Sequence, residues 1–165
     1  MNPICPIPKS HPSVRVELPD EAAQVAFGAE LGRAVGQQAL IFLQGDLGAG
    51  KTTLVRGFLQ ARGHQGTVKS PTYTLIEPYP LENGACYHLD LYRLGDGEEL
   101  EYLGLREMLA ECAVLLIEWP ERGAGWLTEA DLLVEIAYRP GGGRCIAVYG
   151  HTAMGIAVVR ELSGK

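Results

Sequence analysis

Ala39-Leu-Ile-Phe-Leu43, followed by Gly45-Asp-Leu-Gly-Ala-Gly-Lys51-Thr52-Thr53, is the stretch whose reading decides the fold. Five consecutive apolar residues predict a strand buried on both faces. The turn after it has the form G-x-x-x-x-G-K-[ST]. Beyond the turn, Leu54, Val55, Phe58 and Leu59 recur at helical spacing, and Gly63 is placed to end that helix. Strand, glycine turn and helix in this order make a phosphate cradle. The glycines let the backbone curl into a nest of N–H groups, and the helix adds the positive end of its dipole. Lys51 supplies a point charge for β/γ-phosphates, and the Thr52 hydroxyl takes a position on Mg²⁺. Gly45, Asp46, Gly48, Ala49, Gly50, Lys51, Thr52 and Thr53 are therefore candidate contacts for a nucleoside triphosphate.

Outward from this centre, elements of both periods appear. Val14–Leu18 alternates like a short strand, and Asp20 is placed to cap a helix with Ala22, Ala23, Ala26, Phe27, Leu31, Ala34 and Val35 inward. Residues 73–79 and 85–92 read as strands joined across Glu82-Asn83-Gly84. Residues 96–111 read as acidic helix broken near Gly104, and Val114–Trp119 as a second buried strand stopped by Pro120. Residues 131–139 and 144–150 form a further hairpin, while 153–162 is a closing element of either type. Buried strands alternating with helices, interrupted by hairpins, predict an α/β fold. The expected architecture is a P-loop NTPase-like three-layer domain over residues 14–165, its sheet mixed and mainly parallel with antiparallel hairpins. Five of the ten prolines fall within the first nineteen residues, so 1–13 reads as a flexible tail.

The chain has 165 residues, 47% of them hydrophobic, which suits one domain with a real core. Twenty acidic against 14 basic side chains give a net charge of −6. That balance offers no field to attract a phosphate backbone, and it weighs against tight direct nucleic-acid binding. Six acids (Asp96, Glu98, Glu99, Glu101, Glu107, Glu111) against Arg106 alone concentrate the charge within 96–111. This is either a solvated helical face or a docking surface for a basic protein partner. No apolar run approaches the ~18 residues of a membrane span, and the first residues lack the pattern of a secretion signal. Cys5, Cys86, Cys112 and Cys145 contain no C-x-x-C pair, and the last three lie in apolar stretches as small hydrophobes. A cytoplasmic protein is the expectation.

Three further segments carry candidate chemistry. Glu118 closes a buried strand, the usual place for the acidic partner of a P-loop Mg²⁺, or for a carboxylate that merely ends a strand in solvent. In Tyr87-His-Leu-Asp-Leu-Tyr-Arg93, alternation sends His88, Asp90 and Tyr92 to one face, either lining a site or facing water. Asp90 there has two available tasks, binding Mg²⁺ or orienting an attacking water. Ser70-Pro-Thr72-Tyr-Thr74 follows the P-loop helix, either as a switch that reports on the γ-phosphate or as a turn opening a strand.

Taken in order, these pieces resemble the TsaE family (also called YjeE), small bacterial ATPases of tRNA threonylcarbamoyladenosine synthesis. The resemblance rests on Leu18-Pro-Asp-Glu21, the Gly45–Thr53 loop, Val68-Lys-Ser-Pro-Thr-Tyr-Thr74, His88-Leu-Asp-Leu-Tyr-Arg93, Glu98-Glu-Leu, Ile117-Glu-Trp-Pro120 and Gly143-Arg144. It implies ATP hydrolysis coupled to the TsaB–TsaD pair, with Thr52 and Glu118 as Mg²⁺ ligands and Asp90 required for turnover. The same resemblance places Trp119, Glu21 and Arg144 near the nucleotide. A small-molecule kinase is the main rival, but Arg93, Arg106, Arg122 and Arg139 are scattered rather than gathered in a lid. A GTP-dependent switch is the second, weakened by the lack of an Asn-Lys-x-Asp base-reading segment.

Overall fold

A computed structural model describes residues 11–164. The tail expected over 1–13 lies outside the described residues as far as residue 10. The first strand, β1, already begins at Ser13 and runs to Leu18. Then follow α1 (Glu21–Ala34), β2 (Ala39–Gln44), α2 (Lys51–Ala61), β3 (Ile76–Leu81) and β4 (Gly84–Asp90). The chain continues through α3 (Glu99–Tyr102), α4 (Leu105–Ala110), β5 (Ala113–Glu118), β6 (Leu132–Tyr138), β7 (Arg144–Gly150) and α5 (Ala153–Ser163).

The seven strands form one sheet in the order β1-β7-β6-β2-β5-β4-β3. Its core is parallel: β2 pairs with β5 and β6, and β4 with β5. The outer pairs β3–β4, β6–β7 and β1–β7 are antiparallel. All six residues of β5 are buried, as its unbroken apolar run requires in a central strand. On one face Ile41, Leu43, Val114 and Leu116 pack with Phe27, Leu31, Leu54, Phe58 and Val158 of α1, α2 and α5. On the other, Leu40, Leu89, Leu115 and Ile117 pack with Leu100, Leu105 and Met108 of α3 and α4. The domain is a three-layer α/β structure with a mixed sheet.

Asp20 caps α1 as expected, its Oδ1 accepting the Ala23 N–H at 2.8 Å. The inward face of that helix is rotated from the alanine stripe: Ala22 and Ala26 are exposed, while Gln24, Phe27, Gly28, Leu31 and Gly32 are buried. Glycines cause the rotation. A Cβ on Gly28 would strike the Leu54 carbonyl and one on Gly57 the Val25 carbonyl, so bare backbone lets α1 and α2 come close.

Three boundaries also differ from the sequence reading. β3 starts at Ile76 rather than residue 73, because Pro71–Leu75 turns back on itself through Leu75 N–H to the Pro71 carbonyl. β4 and β5 stop at Asp90 and Glu118, before Tyr92 and Trp119. The closing element is a helix, capped by Thr152. Among the cysteines, Cys86 is buried and burial pushes its thiol up to about 12, as befits a small hydrophobe. Cys112 departs from that expectation and is exposed.

Candidate nucleotide-binding site

The site lies where the parallel strands end. Register assembles it: Leu43 of β2 stands beside Glu118 of β5, and Glu118 beside Asp90 of β4. Three residues from distant parts of the sequence therefore meet at the root of the glycine turn. Glu118 and Asp90 are both buried, so neither is a solvated strand end.

Gly48 and Gly50 hold positive φ (79° and 101°), which curls the turn into a concave loop. The loop is gripped from outside. Gln24 Nε2 donates to the carbonyls of Ala49 (3.1 Å) and Gly50 (2.9 Å). Arg144 donates through Nε to Ala49 (2.9 Å) and through Nη2 to Gly48 (3.2 Å). The Tyr138 hydroxyl donates to the Leu47 carbonyl at 3.0 Å, and the Arg144 guanidinium lies 4.2 Å over the Tyr138 ring. A Cβ on Gly50 would collide with Gln24, so this grip requires glycine there.

Lys51 is buried, with Nζ donating to the carbonyls of Gly45 (2.5 Å) and Asp46 (3.1 Å) and lying 4.5 Å over the Trp119 ring. Burial pushes its ammonium below the usual lysine range, against the raising pull of Glu118, Asp90, Glu121 and Asp46. Thr52 Oγ1 donates to Glu118 Oε1 at 3.0 Å. Asp90 Oδ2 accepts from Thr72 (3.0 Å) and Ser70 (3.3 Å), and Oδ1 accepts the Tyr92 N–H (3.0 Å). Tyr92 packs on Trp119 with ring centroids 5.1 Å apart.

These residues line a cleft of about 450 Å³ bounded by Gly48, Lys51, Thr52, Ser70, Asp90 and Trp119. On the other side of the loop lies a second hollow of about 250 Å³, lined by Pro19, Glu21, Gln24, Thr53, Gly143 and Arg144. The pairing of Leu18 with Arg144 brings those two segments together. Glu21 is exposed there and accepts from Arg56 at 2.8 Å. Apart from Gly45, Asp46 and the fully buried Ala49 of the loop itself, the candidate residues converge on two hollows flanking that loop.

Leu75 (φ 67°) and Trp119 (φ 56°) are the described non-glycine residues with positive φ, and both adjoin this cleft. Leu75 passes its carbonyl to the Asp90 N–H at 2.9 Å. Backbone strain gathered here, and not elsewhere among the described residues, is typical of a working site.

The donor set suits a hard cation held jointly with phosphate. Thr52, Glu118 and Asp90 offer oxygen, the ligand type Mg²⁺ takes. No group of three or more His, Cys, Asp or Glu side chains among the described residues is placed to hold a metal unaided. His88, Gln24 and Tyr138 complete the architecture and are not among the site residues legible in the sequence. His88 is visible there only as one polar residue on a face, and nothing in sequence pairs it with Glu118.

Fold and loop together define a P-loop protein, with the loop at the carboxyl ends of a parallel core. The family model described as "Threonylcarbamoyl adenosine biosynthesis protein TsaE" matches residues 18–146, and the chain belongs to that family. The TsaE protein of Haemophilus influenzae is 45% identical over 151 residues, covering 88% of this chain and 95% of that one. The TsaE protein of Synechocystis is 40% identical over 114 residues, 67% of this chain and 72% of its own. A crystal structure of YdiB from Bacillus subtilis superposes with a TM-score of 0.78 at 27% identity, covering 93% and 96% of the two chains. Membership places the chain in tRNA threonylcarbamoyladenosine biosynthesis. No helix of the described residues is long and apolar enough to cross a membrane.

Proposed function

We propose that this chain is a Mg²⁺-dependent ATPase of the cytoplasm. It hydrolyses ATP together with the TsaB–TsaD proteins during threonylcarbamoyladenosine modification of tRNA. The observation that carries the reading is the convergence of Lys51, Thr52, Glu118 and Asp90 on one cleft beside the glycine loop. Gly45–Thr53 cradles the phosphates, and Lys51 leaves its carbonyl partners to meet the β- and γ-oxygens. Thr52 and Glu118 hold Mg²⁺, which when bound neutralises charge on the transferred phosphoryl group. Asp90 orients a water in line with the γ-phosphorus and takes up its proton. The water oxygen forms the new bond to phosphorus as the bond to the β–γ bridging oxygen breaks. Ser70 and Thr72, bonded to Asp90, couple the 68–75 segment to the γ-phosphate as a switch. Trp119 flanks the phosphates, while Glu21 and Arg144 line the hollow that takes base and ribose.

The six acids of residues 96–111 are all exposed, whereas Leu100, Leu105 and Met108 anchor α3 and α4 to the core. We assign that face to docking a basic surface of the partner proteins, which then hold the RNA. Turnover of ATP with and without purified TsaB–TsaD tests the reading: stimulation with co-elution is expected, and the absence of both would overturn it. Following labelled γ-phosphate separates hydrolysis from the rival kinase, since transfer to a metabolite would favour the kinase.

A further inference from the structure

We infer that His88 is a positioning residue for the Thr52–Glu118 cation site, fixing the Glu118 carboxylate before metal and nucleotide arrive. The inference rests on the reading above that these two residues hold Mg²⁺. His88 cannot reach a ligand itself: it is 0% exposed and lies one strand over from Glu118. Two residues before Asp90 on β4, it shares the face of Asp90, and its ring reaches diagonally to Glu118. His88 Nε2 stands 2.9 Å from Glu118 Oε1, the same oxygen that receives the Thr52 hydroxyl at 3.0 Å.

A carboxylate oxygen only accepts, so both neighbours donate. Nε2 therefore carries its proton toward Glu118. The Thr52 hydrogen likewise points at Glu118, which turns the hydroxyl lone pairs elsewhere, the orientation a metal ligand needs. Two donors on one oxygen lock the plane of the carboxylate. Outer partners of this kind set the direction of a metal ligand before the metal binds.

The other ring nitrogen shows why packing is a poor account of this histidine. His88 Nδ1 is buried with no hydrogen-bond partner among the described residues. A buried polar atom left unpaired costs stability, so a histidine kept here needs a reason other than packing. Asp131, at the far end of the sheet, has both carboxylate oxygens occupied by the fold. His88 is half-satisfied, and the satisfied half faces the site.

The test uses the full chain with ADP or a non-hydrolysable ATP analogue, and Mg²⁺ titrated from metal-free buffer. His88→Gln is the informative replacement, because the glutamine amide nitrogen reaches the position that Nε2 vacates. His88→Asn places its amide nearer Nδ1 and cannot reach Oε1, and His88→Leu removes both. Expected for His88→Leu and His88→Asn is a rise of about 10-fold or more in the Mg²⁺ concentration giving half-maximal enhancement of nucleotide binding. Nucleotide binding without metal should stay within about twofold, and His88→Gln should recover most of the Mg²⁺ response. Should His88→Leu fail to fold, the comparison of His88→Gln with His88→Asn carries the test. An unchanged Mg²⁺ requirement in His88→Asn, beside a Mg²⁺-responsive wild type, overturns this inference alone. A wild type indifferent to Mg²⁺ overturns the cation-site reading and this inference with it.

Discussion

Two carboxylates near opposite ends of the parallel strands show how differently one fold uses the same group. At the amino ends, Asp131 Oδ2 accepts the Leu40 N–H at 2.8 Å and Oδ1 accepts the Thr152 hydroxyl at 2.7 Å. It ties the start of β2 to the cap of α5, and each oxygen has a partner from the framework. At the carboxyl ends, Glu118 receives both of its bonds on Oε1, beside a lysine pushed down by burial and a histidine with a bare nitrogen. A hollow of about 320 Å³ adjoins Asp131 as well, so concavity does not distinguish the two ends. What distinguishes these two carboxylates is whether the fold has occupied both oxygens or only one. Satisfied groups hold the structure together. Glu118 keeps one oxygen free of the bonds that hold the other, and that oxygen is available to a ligand.

The largest effects on binding and turnover should come from the carboxyl end. Lys51→Met removes the phosphate charge and should weaken ATP binding about 100-fold or more, two charge-assisted bonds being lost. Its folded pKa lies below the unfolded value, so the protonated lysine weighs against folding, and that penalty fades as pH rises through the lowered value. Lys51→Met should therefore melt no lower than wild type, with any advantage narrowing toward the unfolded lysine value of about 10.4. Asp90→Ala should keep nucleotide binding and lose turnover by about 10²-fold or more. Titration calorimetry, steady-state turnover and melting curves at two pH values decide both. Normal hydrolysis by Asp90→Ala would remove that residue from the mechanism.

Asp131→Ala is the mirror image. Two backbone or hydroxyl donors lose a charged acceptor, so the expected cost is about 2–3 kcal/mol of folding stability. Chemical denaturation should register it, while ATP affinity per folded molecule stays unchanged. Loss of affinity at full stability would break the contrast between the two ends.

Much of this contrast is legible in the sequence, but not the part that depends on register. The run Ala39–Leu43, the loop Gly45–Thr53 and the strand ending at Glu118 carry local signals, and these suffice for the fold and the phosphate cradle. Asp90 is legible as part of the polar face it shares with His88 and Tyr92, because strand alternation is local. The partner of His88 is not: Glu118 lies thirty residues away, and only the alignment of β4 on β5 brings them together. Gln24 is hidden for another reason. In a helix with scattered alanines it reads as a surface residue, and it is buried because glycines on both helices admit close contact. The type of the element at 153–162 is ambiguous in sequence because Ile156–Val159 is too short an apolar run to show a period.

The smallest predicted effect tests whether the grip on the glycine loop belongs with Glu118 or with Asp131. Tyr138 lines neither of the hollows beside the loop and is half exposed, yet its hydroxyl holds the Leu47 carbonyl while its ring lies under Arg144. Tyr138→Phe removes the hydroxyl and keeps the ring, so Arg144 retains its support and its bonds to Gly48 and Ala49. Leu47 is exposed, and water can take the place of the lost donor, which limits the cost to about 0.5–1 kcal/mol. If the grip serves to hold the loop in its binding shape, that cost falls on nucleotide affinity, a weakening of about two- to five-fold, with the melting midpoint unchanged. A lower midpoint at unchanged affinity would place Tyr138 with Asp131, as framework. The reason to expect the first result is topological: the loop is fixed to the domain at β2 and α2 without Tyr138, so its hydroxyl adds nothing to folding that those anchors do not already supply.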